Sequence, residues 1–148
     1  MEVSNKGLEL IAKFEGLSLT PYLCPAKIPT IGYGATFYEN GNKVTMSDPA
    51  ITKERALELL KFHVKHFAQT VDSYTTDAVN QQQFDALVSF AYNLGTGALK
   101  GSTLLKKVNK NPKDSTIAAE FAKWVNANGK QLAGLVKRRK AESDLYFS

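Results

Sequence analysis

The chain has 148 residues, with 19 lysines and arginines against 14 aspartates and glutamates, so its formal charge is +5. Hydrophobic residues make up 43% and aromatic residues 10%, which excludes a disordered or low-complexity chain and is typical of one globular domain. The single cysteine, Cys24, excludes a disulfide scaffold. No apolar run approaches the roughly 20 residues that cross a bilayer. The positive charge favours an anionic partner: nucleic acid, an anionic lipid surface or an acidic polymer.

The first part of the chain changes character at Gly16. Apolar residues at helical spacing predict a helix over residues 4–15, with Gly16 as its stop. Residues 16–49 hold four prolines and four glycines, which disfavours a helix. The β-prone residues 30–38, followed by the Asn-Gly turn signal at 40–41, predict a small β-hairpin lobe.

Helical periodicity returns after this lobe and continues to the end of the chain. A long helix is predicted to begin at Thr52, a second to end near Gly95, and a short one to include residues 104–108. The Asn-Pro pair at 111–112 predicts the N-cap and first position of a fourth helix. A last helix is predicted over residues 132–146.

These elements predict a single α+β domain over residues 1–148. We expect a mainly helical body, formed by residues 1–16 and about 52–148, and a small β-hairpin lobe inserted at about 17–50. No internal repeat and no linker divides the chain.

Three residues near the β lobe could carry chemistry. Glu15 ends the first helix beside apolar residues, and both the helix dipole and that surrounding favour the neutral carboxyl that a general acid needs. The alternative is a solvated surface glutamate. Cys24 is either a reactive thiol or a small buried hydrophobe. Thr30 opens T-I-G-Y-G, which fits no phosphate-binding loop and favours a tight strand that lines a cleft.

Two other groups of residues have simpler explanations. His63 and His66 have a spacing that could hold a metal, but no nearby carboxylate or cysteine completes a site, so no metal is predicted. The basic residues 137–140 predict a solvated helix face that is partly paired with Glu142 and Asp144. DNA binding by this cluster is the alternative, although no known DNA-binding motif supports it.

The spacing of Glu15, Cys24 and Thr30 resembles a known pattern. It follows E-x8-[DC]-x5-T, the signature of phage-type lysozymes, the T4-like endolysins of glycoside hydrolase family 24. F-E-G-L at 14–17 and T-I-G-Y-G at 30–34 are similar to the active-site region of that family.

Two further blocks extend the resemblance over nearly the whole chain. The block at 83–105 resembles the central helices of the family, and that at 121–142 resembles its C-terminal helices. The resemblance implies a lysozyme-like fold, with the helical body and the β lobe facing each other across a cleft and the long helix joining them.

The implied activity is that of a muramidase, which hydrolyses the β-1,4 bond between N-acetylmuramic acid and N-acetylglucosamine in peptidoglycan. Glu15 would protonate the glycosidic oxygen, and the Thr30 hydroxyl would help to hold the attacking water. Cys24 would orient that water or stabilise the transition state, as a thiolate or a polarised thiol. An ordinary thiol is mostly neutral at pH 7, and Lys27 is the nearest basic residue in sequence.

The resemblance also implies residues that contact the glycan. Asn93 matches a substrate-lining position and would bind an acetamido group. Tyr33 or Tyr92 would stack on a sugar ring, with a core position as the alternative, and Gly34 allows close backbone approach. Ala35 departs from the family pattern, because many members have a histidine after T-I-G-Y-G.

The expected partner is peptidoglycan, with no cofactor, no nucleic acid and a monomeric state. Contact with anionic membranes through the basic C-terminal helix is a further possibility. Glu2, Lys13 and Glu15 do not fit a signal peptide, so we expect synthesis in the host cytoplasm and access to the cell wall after a holin opens the membrane. The rival functions are a non-catalytic peptidoglycan-binding module, a basic nucleic-acid-binding protein and a lytic transglycosylase.

Overall fold

The computed structural model describes residues 1–148 and contains seven helices and four short strands. They run in the order α1 Asn5–Glu15, β1 Ser18–Leu23, β2 Pro29–Gly32, α2 Lys53–Tyr74, α3 Gln81–Leu94, α4 Thr96–Lys100, α5 Thr103–Lys110, α6 Ile117–Ala122, β3 Asn126–Ala127, β4 Lys130–Gln131 and α7 Ala133–Tyr146. This confirms the predicted α+β class. None of the helices combines the length and the hydropathy needed to cross a membrane.

The chain divides into two compact units. The N-terminal unit is Leu8–His66, and the C-terminal unit consists of Met1–Gly7 and Phe67–Ser148. The predicted β lobe at about 17–50 falls inside the N-terminal unit. The long helix α2 begins where the sequence predicts, because the Thr52 hydroxyl accepts a hydrogen bond from the Arg55 amide at 3.1 Å and caps its first turn.

The β-hairpin of the N-terminal unit differs from the predicted one. The two-stranded antiparallel sheet pairs β1 with β2, whereas the turn at Asn40-Gly41 closes only one isolated bridge, from Phe37 to Lys43. Pro21 lies within β1 and makes this segment look unfavourable for a strand in the sequence. It lies where the register shifts between Ser18 and Tyr22, a place where a strand tolerates a residue without an N–H group.

The strand predicted over T-I-G-Y-G is present for Thr30–Gly32, which lie on β2, and it ends in a turn at Tyr33 and Gly34. Ile31 and Ala35 exchange two backbone hydrogen bonds of 2.9 Å across it, and Gly32 and Gly34 take φ values of 67° and 93°. Such positive φ values are strained for residues with a side chain, which explains the two glycines. The turn places Ile31 and Ala35 in a small core with Val44 and Leu59 from the same unit.

The C-terminal unit is built around α3, which is buried along most of its length. Its N-terminus carries a capping box, in which the side chains of Asn80 and Gln83 each accept from the other's backbone amide. The Phe90 ring meets Phe121 and Trp124 edge-on, with ring centroids 6.0 and 5.5 Å apart. These aromatic contacts join α3 to α6 and to the segment that follows α6.

The predicted start of the fourth helix is wrong. Asn111 ends α5 as its C-cap, and α6 begins only at Ile117. The Asn111 carboxamide accepts a hydrogen bond from the Lys113 amide at 3.1 Å, which makes a local turn instead of a helix N-cap. The short helix α4 was not predicted. The predicted last helix is confirmed, since α7 covers Ala133–Tyr146.

Candidate active site

Glu15 is the last residue of α1, at the position that the sequence predicts. Gly16 ends the helix with a φ of 75°, and the Glu15 side chain is half-buried. Leu8 and Ile11 anchor the helix by their buried side chains, so the carboxyl group projects from a fixed element.

Cys24 begins the tight turn that links β1 to β2. Its amide donates to the Ile28 carbonyl at 3.1 Å, and its carbonyl accepts from the Lys27 amide at 2.7 Å. Lys27 takes a positive φ of 61°, so the turn is closely wound although none of its residues is a glycine. The thiol is half-buried within this turn.

The turn itself makes the thiol more acidic. A hydrogen bond from the Ile28 amide is the main cause that holds the pKa of Cys24 below its ordinary value, against the opposing effect of partial burial. Hydrogen bonds from the Ala26 amide and the Thr30 hydroxyl lower the Cys24 pKa further. The largest contributions thus come from groups of the turn itself, whereas in the sequence Lys27 was only the nearest basic residue.

Thr30 lies on β2 directly beside this turn. Its side chain is only 2% exposed, and its hydroxyl donates to the Ile28 carbonyl at 2.8 Å. A hydroxyl has one proton and two lone pairs, so it can donate to Ile28 and still accept from a water. When the thiol ionises, rotation of the same hydroxyl lets it donate to the Cys24 sulfur instead. Thr30 therefore lies beside the Cys24 turn and helps to lower the Cys24 pKa, in the same unit as Glu15.

Two other predicted residues of the N-terminal unit differ in exposure. Tyr33 is only 7% exposed, which favours its alternative as a core residue over stacking on a sugar. Gly34 is exposed at the tip of the G-Y-G turn. Ala35 packs in the small core of this unit.

Tyr92 and Asn93 lie near the end of α3 in the C-terminal unit. The Tyr92 ring is half-buried and meets Phe67 edge-on, with ring centroids 5.0 Å apart. Asn93 is also half-buried, and its carboxamide oxygen accepts a hydrogen bond of 2.6 Å from Nη2 of Arg139.

The basic cluster at 137–140 is not the solvated helix face that the sequence predicts. Arg138 and Arg139 are only 4% and 1% exposed, while the two lysines of the cluster are exposed. Both arginines form ion pairs with the fully buried Glu142, at 3.3 and 2.8 Å. The spacing of three and four residues between these charges allows their pairing to be predicted from the sequence. Their burial could not be predicted, because it results from the packing of α7 against α3.

The side chain of His63 contacts a backbone carbonyl and two aromatic rings. Nε2 of His63 lies 3.0 Å from the Phe37 carbonyl oxygen, and the His63 ring meets the rings of Phe37 and Phe62 edge-on. No group of three or more histidine, cysteine, aspartate or glutamate residues lies close enough to hold a metal ion.

Comparison with known proteins gives a consistent result. The sequence model of the phage lysozyme family matches residues 12–142. The chain is 43% identical over 150 residues to the endolysin of Bacillus phage B103, covering 100% of this chain and 55% of that protein. It is 40% identical over 152 residues to the endolysin of Acyrthosiphon pisum secondary endosymbiont phage 1, covering 100% of this chain and 99% of that protein.

A solved structure extends the agreement to the fold. The endolysin from Escherichia coli O157:H7 phage FAHEc1 superposes with a TM-score of 0.88 at 38% identity, covering 100% of this chain and 94% of that one. The chain therefore spans about half the length of the Bacillus phage relative and nearly all of the other two proteins. Because the family model matches most of its length, the chain belongs to the phage lysozyme family.

Proposed function

We propose that this chain is a lysozyme that hydrolyses the β-1,4 bond between N-acetylmuramic acid and N-acetylglucosamine in peptidoglycan and so lyses bacterial cells. The observation that carries the proposal is the arrangement in the N-terminal unit, where a helix end presents Glu15 and the Cys24 turn lies beside Thr30 in the same compact unit. The endolysins to which the chain is similar support the same activity.

In the proposed reaction, Glu15 acts as the general acid. It gives its proton to the glycosidic oxygen, so that the bond to the leaving sugar breaks with its electron pair on a neutral hydroxyl. A water then bonds to the anomeric carbon and loses a proton. The Thr30 hydroxyl accepts a hydrogen bond from this water, and the Cys24 thiolate orients it or takes up its proton.

The test compares Glu15→Gln with Glu9→Gln on purified peptidoglycan. Both residues lie on α1, but Glu9 is exposed, so its variant controls for the loss of one carboxylate. We expect the wild type and Glu9→Gln to release reducing ends at the same rate. Glu15→Gln should be slower by about 100-fold or more, the usual contribution of a general acid.

Product masses separate the rival functions. Hydrolysis leaves reducing sugar ends, whereas a lytic transglycosylase leaves 1,6-anhydro ends. Wild type that binds peptidoglycan without releasing any product would replace the proposal with a non-catalytic binding module. Equal activity of Glu15→Gln and wild type would leave a hydrolase but remove Glu15 as its acid.

The proposed place of action is the bacterial cell wall during host lysis. The need for a holin, the monomeric state and contact with anionic membranes stay predictions. Of the four basic residues at 137–140, only Lys137 and Lys140 are exposed to meet an anionic surface, and Lys140 is paired with Asp144 at 3.1 Å.

A further inference from the structure

A cavity of about 850 Å³ lies in the N-terminal unit, next to the first turn of α2. Its walls include Tyr38, Glu39, Lys43, Asp48 and Arg55. The volume falls within the range of roughly 300–1,000 Å³ that is usual for ligand sites. The three proposed catalytic residues do not line this cavity, so the proposed reaction gives it no role.

The polar groups of the cavity are held in fixed directions. Arg55 donates from its two Nη atoms to the two carboxylate oxygens of Glu39, each at 2.7 Å. Asp48 accepts from the Tyr38 hydroxyl at 2.7 Å and from the Thr45 hydroxyl at 2.6 Å. Arg55 keeps further N–H donors, and Glu39 keeps further lone pairs, for a ligand. Two cationic and two anionic side chains line the cavity, which makes it neutral overall.

Two phenylalanine rings of the same unit are exposed and share one neighbour. Phe37 and Phe62 are each 41% exposed. Both rings meet the His63 ring edge-on, with their centroids 4.5 and 5.3 Å from it. Single exposed apolar residues are normal on a protein surface, but two that contact the same histidine form a contiguous apolar patch. Patches of this kind are typical of interaction sites.

The aromatic pair and the cavity lie on one side of α2. Arg55 and Phe62 are seven residues apart, which is nearly two helical turns and about 10 Å along the axis, so they project in similar directions. Residues 37–39 connect the two places, because the Phe37 carbonyl oxygen lies 3.0 Å from Nε2 of His63 and Glu39 is bound by Arg55. Phe37, Glu39, Arg55, Phe62 and His63 are called here the α2 side surface.

The two parts of this surface match the two parts of a sugar. A sugar ring has a face of C–H groups, which packs on an aromatic ring, and hydroxyl groups at its edge, which both donate and accept hydrogen bonds. Phe37 and Phe62 provide the apolar area, and the planar Arg55–Glu39 pair presents donors and acceptors side by side. A nucleic acid or an anionic lipid would need an excess of positive charge, which the neutral cavity lacks.

We propose that the α2 side surface is a second glycan-binding site, outside the catalytic residues, that holds a strand of N-acetylated sugars. One sugar lies on the aromatic pair, and the strand continues towards the Arg55–Glu39 pair. The inference rests on the proposed function, which supplies peptidoglycan as the polymer. A second contact of this kind keeps the enzyme on an insoluble wall, because rebinding of the catalytic site then becomes intramolecular.

The first test measures co-sedimentation with purified peptidoglycan, in the Glu15→Gln background so that the polymer is degraded slowly. Phe62→Ala should weaken the binding about tenfold, an effect typical of the loss of an aromatic contact at the centre of a binding site. Because Phe62 is exposed, the Tm should stay close to that of the parent. Phe147→Ala is the matched control, since Phe147 is 44% exposed but lies in the C-terminal unit, and it should bind like the parent.

The second test compares two substrates in an otherwise unchanged enzyme. Glu39→Gln should raise KM for insoluble peptidoglycan about fivefold, the value of one hydrogen bond, with little change in kcat. Its effect on soluble glycan fragments too short to reach both sites should be smaller. Glu58→Gln is the control, because it removes an exposed carboxylate 3.8 Å from Arg55 but outside the cavity. A loss of equal size on both substrates would overturn the second site.

A sugar titration reports on the surface directly. The chain has only two histidines, so the NMR signals of the His63 ring can be followed without overlap. In the Glu15→Gln background, a trimer of N-acetylglucosamine should shift these signals, and Phe62→Ala should reduce the shift.

The outcomes separate this inference from the proposed function. If the His63 signals do not move and Phe62→Ala binds walls like the parent, the inference fails while the lysozyme stands. A shift in a protein that releases no reducing ends would refute the proposed function and keep the sugar site. If the wild type elutes as a dimer that Phe62→Ala dissociates, with unchanged wall binding, the aromatic pair is a contact between copies and the inference is wrong.

Discussion

Replacing Cys24 by serine is expected to change how the hydrolysis rate depends on pH, and not only its size. Serine keeps a hydroxyl in the turn but does not ionise in the working range, whereas hydrogen bonds from the Ile28 amide and its neighbours hold the pKa of the Cys24 thiol below its ordinary value. If the thiolate is the form that orients or deprotonates the water, the ratio of the cysteine rate to the serine rate must increase with the ionised fraction of Cys24.

The informative quantity is the ratio of the wild-type rate to the Cys24→Ser rate. Both enzymes need the same proton on Glu15, so that requirement cancels in the ratio. What remains is the thiolate fraction, which rises about tenfold per pH unit below the thiol pKa and levels off above it. For an ordinary thiol, whose pKa is about 8.5, that fraction is only about 1% at pH 6.5. The lowered pKa of Cys24 should bring the half-maximum of the ratio to a lower pH than an ordinary thiol would give.

The assay is the initial release of reducing ends from purified peptidoglycan at constant ionic strength, over about pH 5.5 to 9. Cys24→Asp is the control, since aspartate is ionised throughout this range and its ratio to Cys24→Ser should be flat. A wild-type ratio that is equally flat would refute the thiolate and leave a neutral thiol that only orients water. Wild-type rates for Cys24→Ser and Cys24→Ala would remove Cys24 from the mechanism.

Three changes test the surrounding fold by chemical denaturation. Two lysine partners hold the pKa of Glu120 below its ordinary value. Its contribution to the free energy of unfolding is therefore full above about pH 4.3 and is lost as the pH falls further. In Glu120→Gln, the free energy of unfolding should decrease less as the pH falls. Gly32→Ala should lower the free energy of unfolding by about 1–2 kcal/mol, because φ is 67° there, and an unchanged value would contradict the turn geometry. Ser89→Ala should cost about 2 kcal/mol by removing the donor to buried Glu142, whereas a loss below about 0.5 kcal/mol would mean that water replaces it.

Those parts of the fold that depend on local signals were predictable from the sequence. The first and last helices lie within one residue of their predicted bounds, because apolar spacing is a local signal, and the first helix also has Gly16 as its stop. The β1–β2 hairpin was not predictable in this way. Pro21 makes a strand over Ser18–Leu23 look unfavourable in the sequence, and the pairing of that strand with β2 is not a local signal. Asn111 misled for another reason: the same carboxamide oxygen can cap a helix or close a turn, and the Lys113 amide uses it for the turn.

The candidate site also has features that the sequence predicts and features that it does not. The spacing of Glu15, Cys24 and Thr30 is a property of the sequence, and the structure keeps all three in the N-terminal unit. The lowered pKa of the thiol was not predictable, because its largest cause is the direction of a backbone amide in a closely wound turn. The burial of Arg139 was hidden for a related reason, since a run of four basic residues is usually solvated.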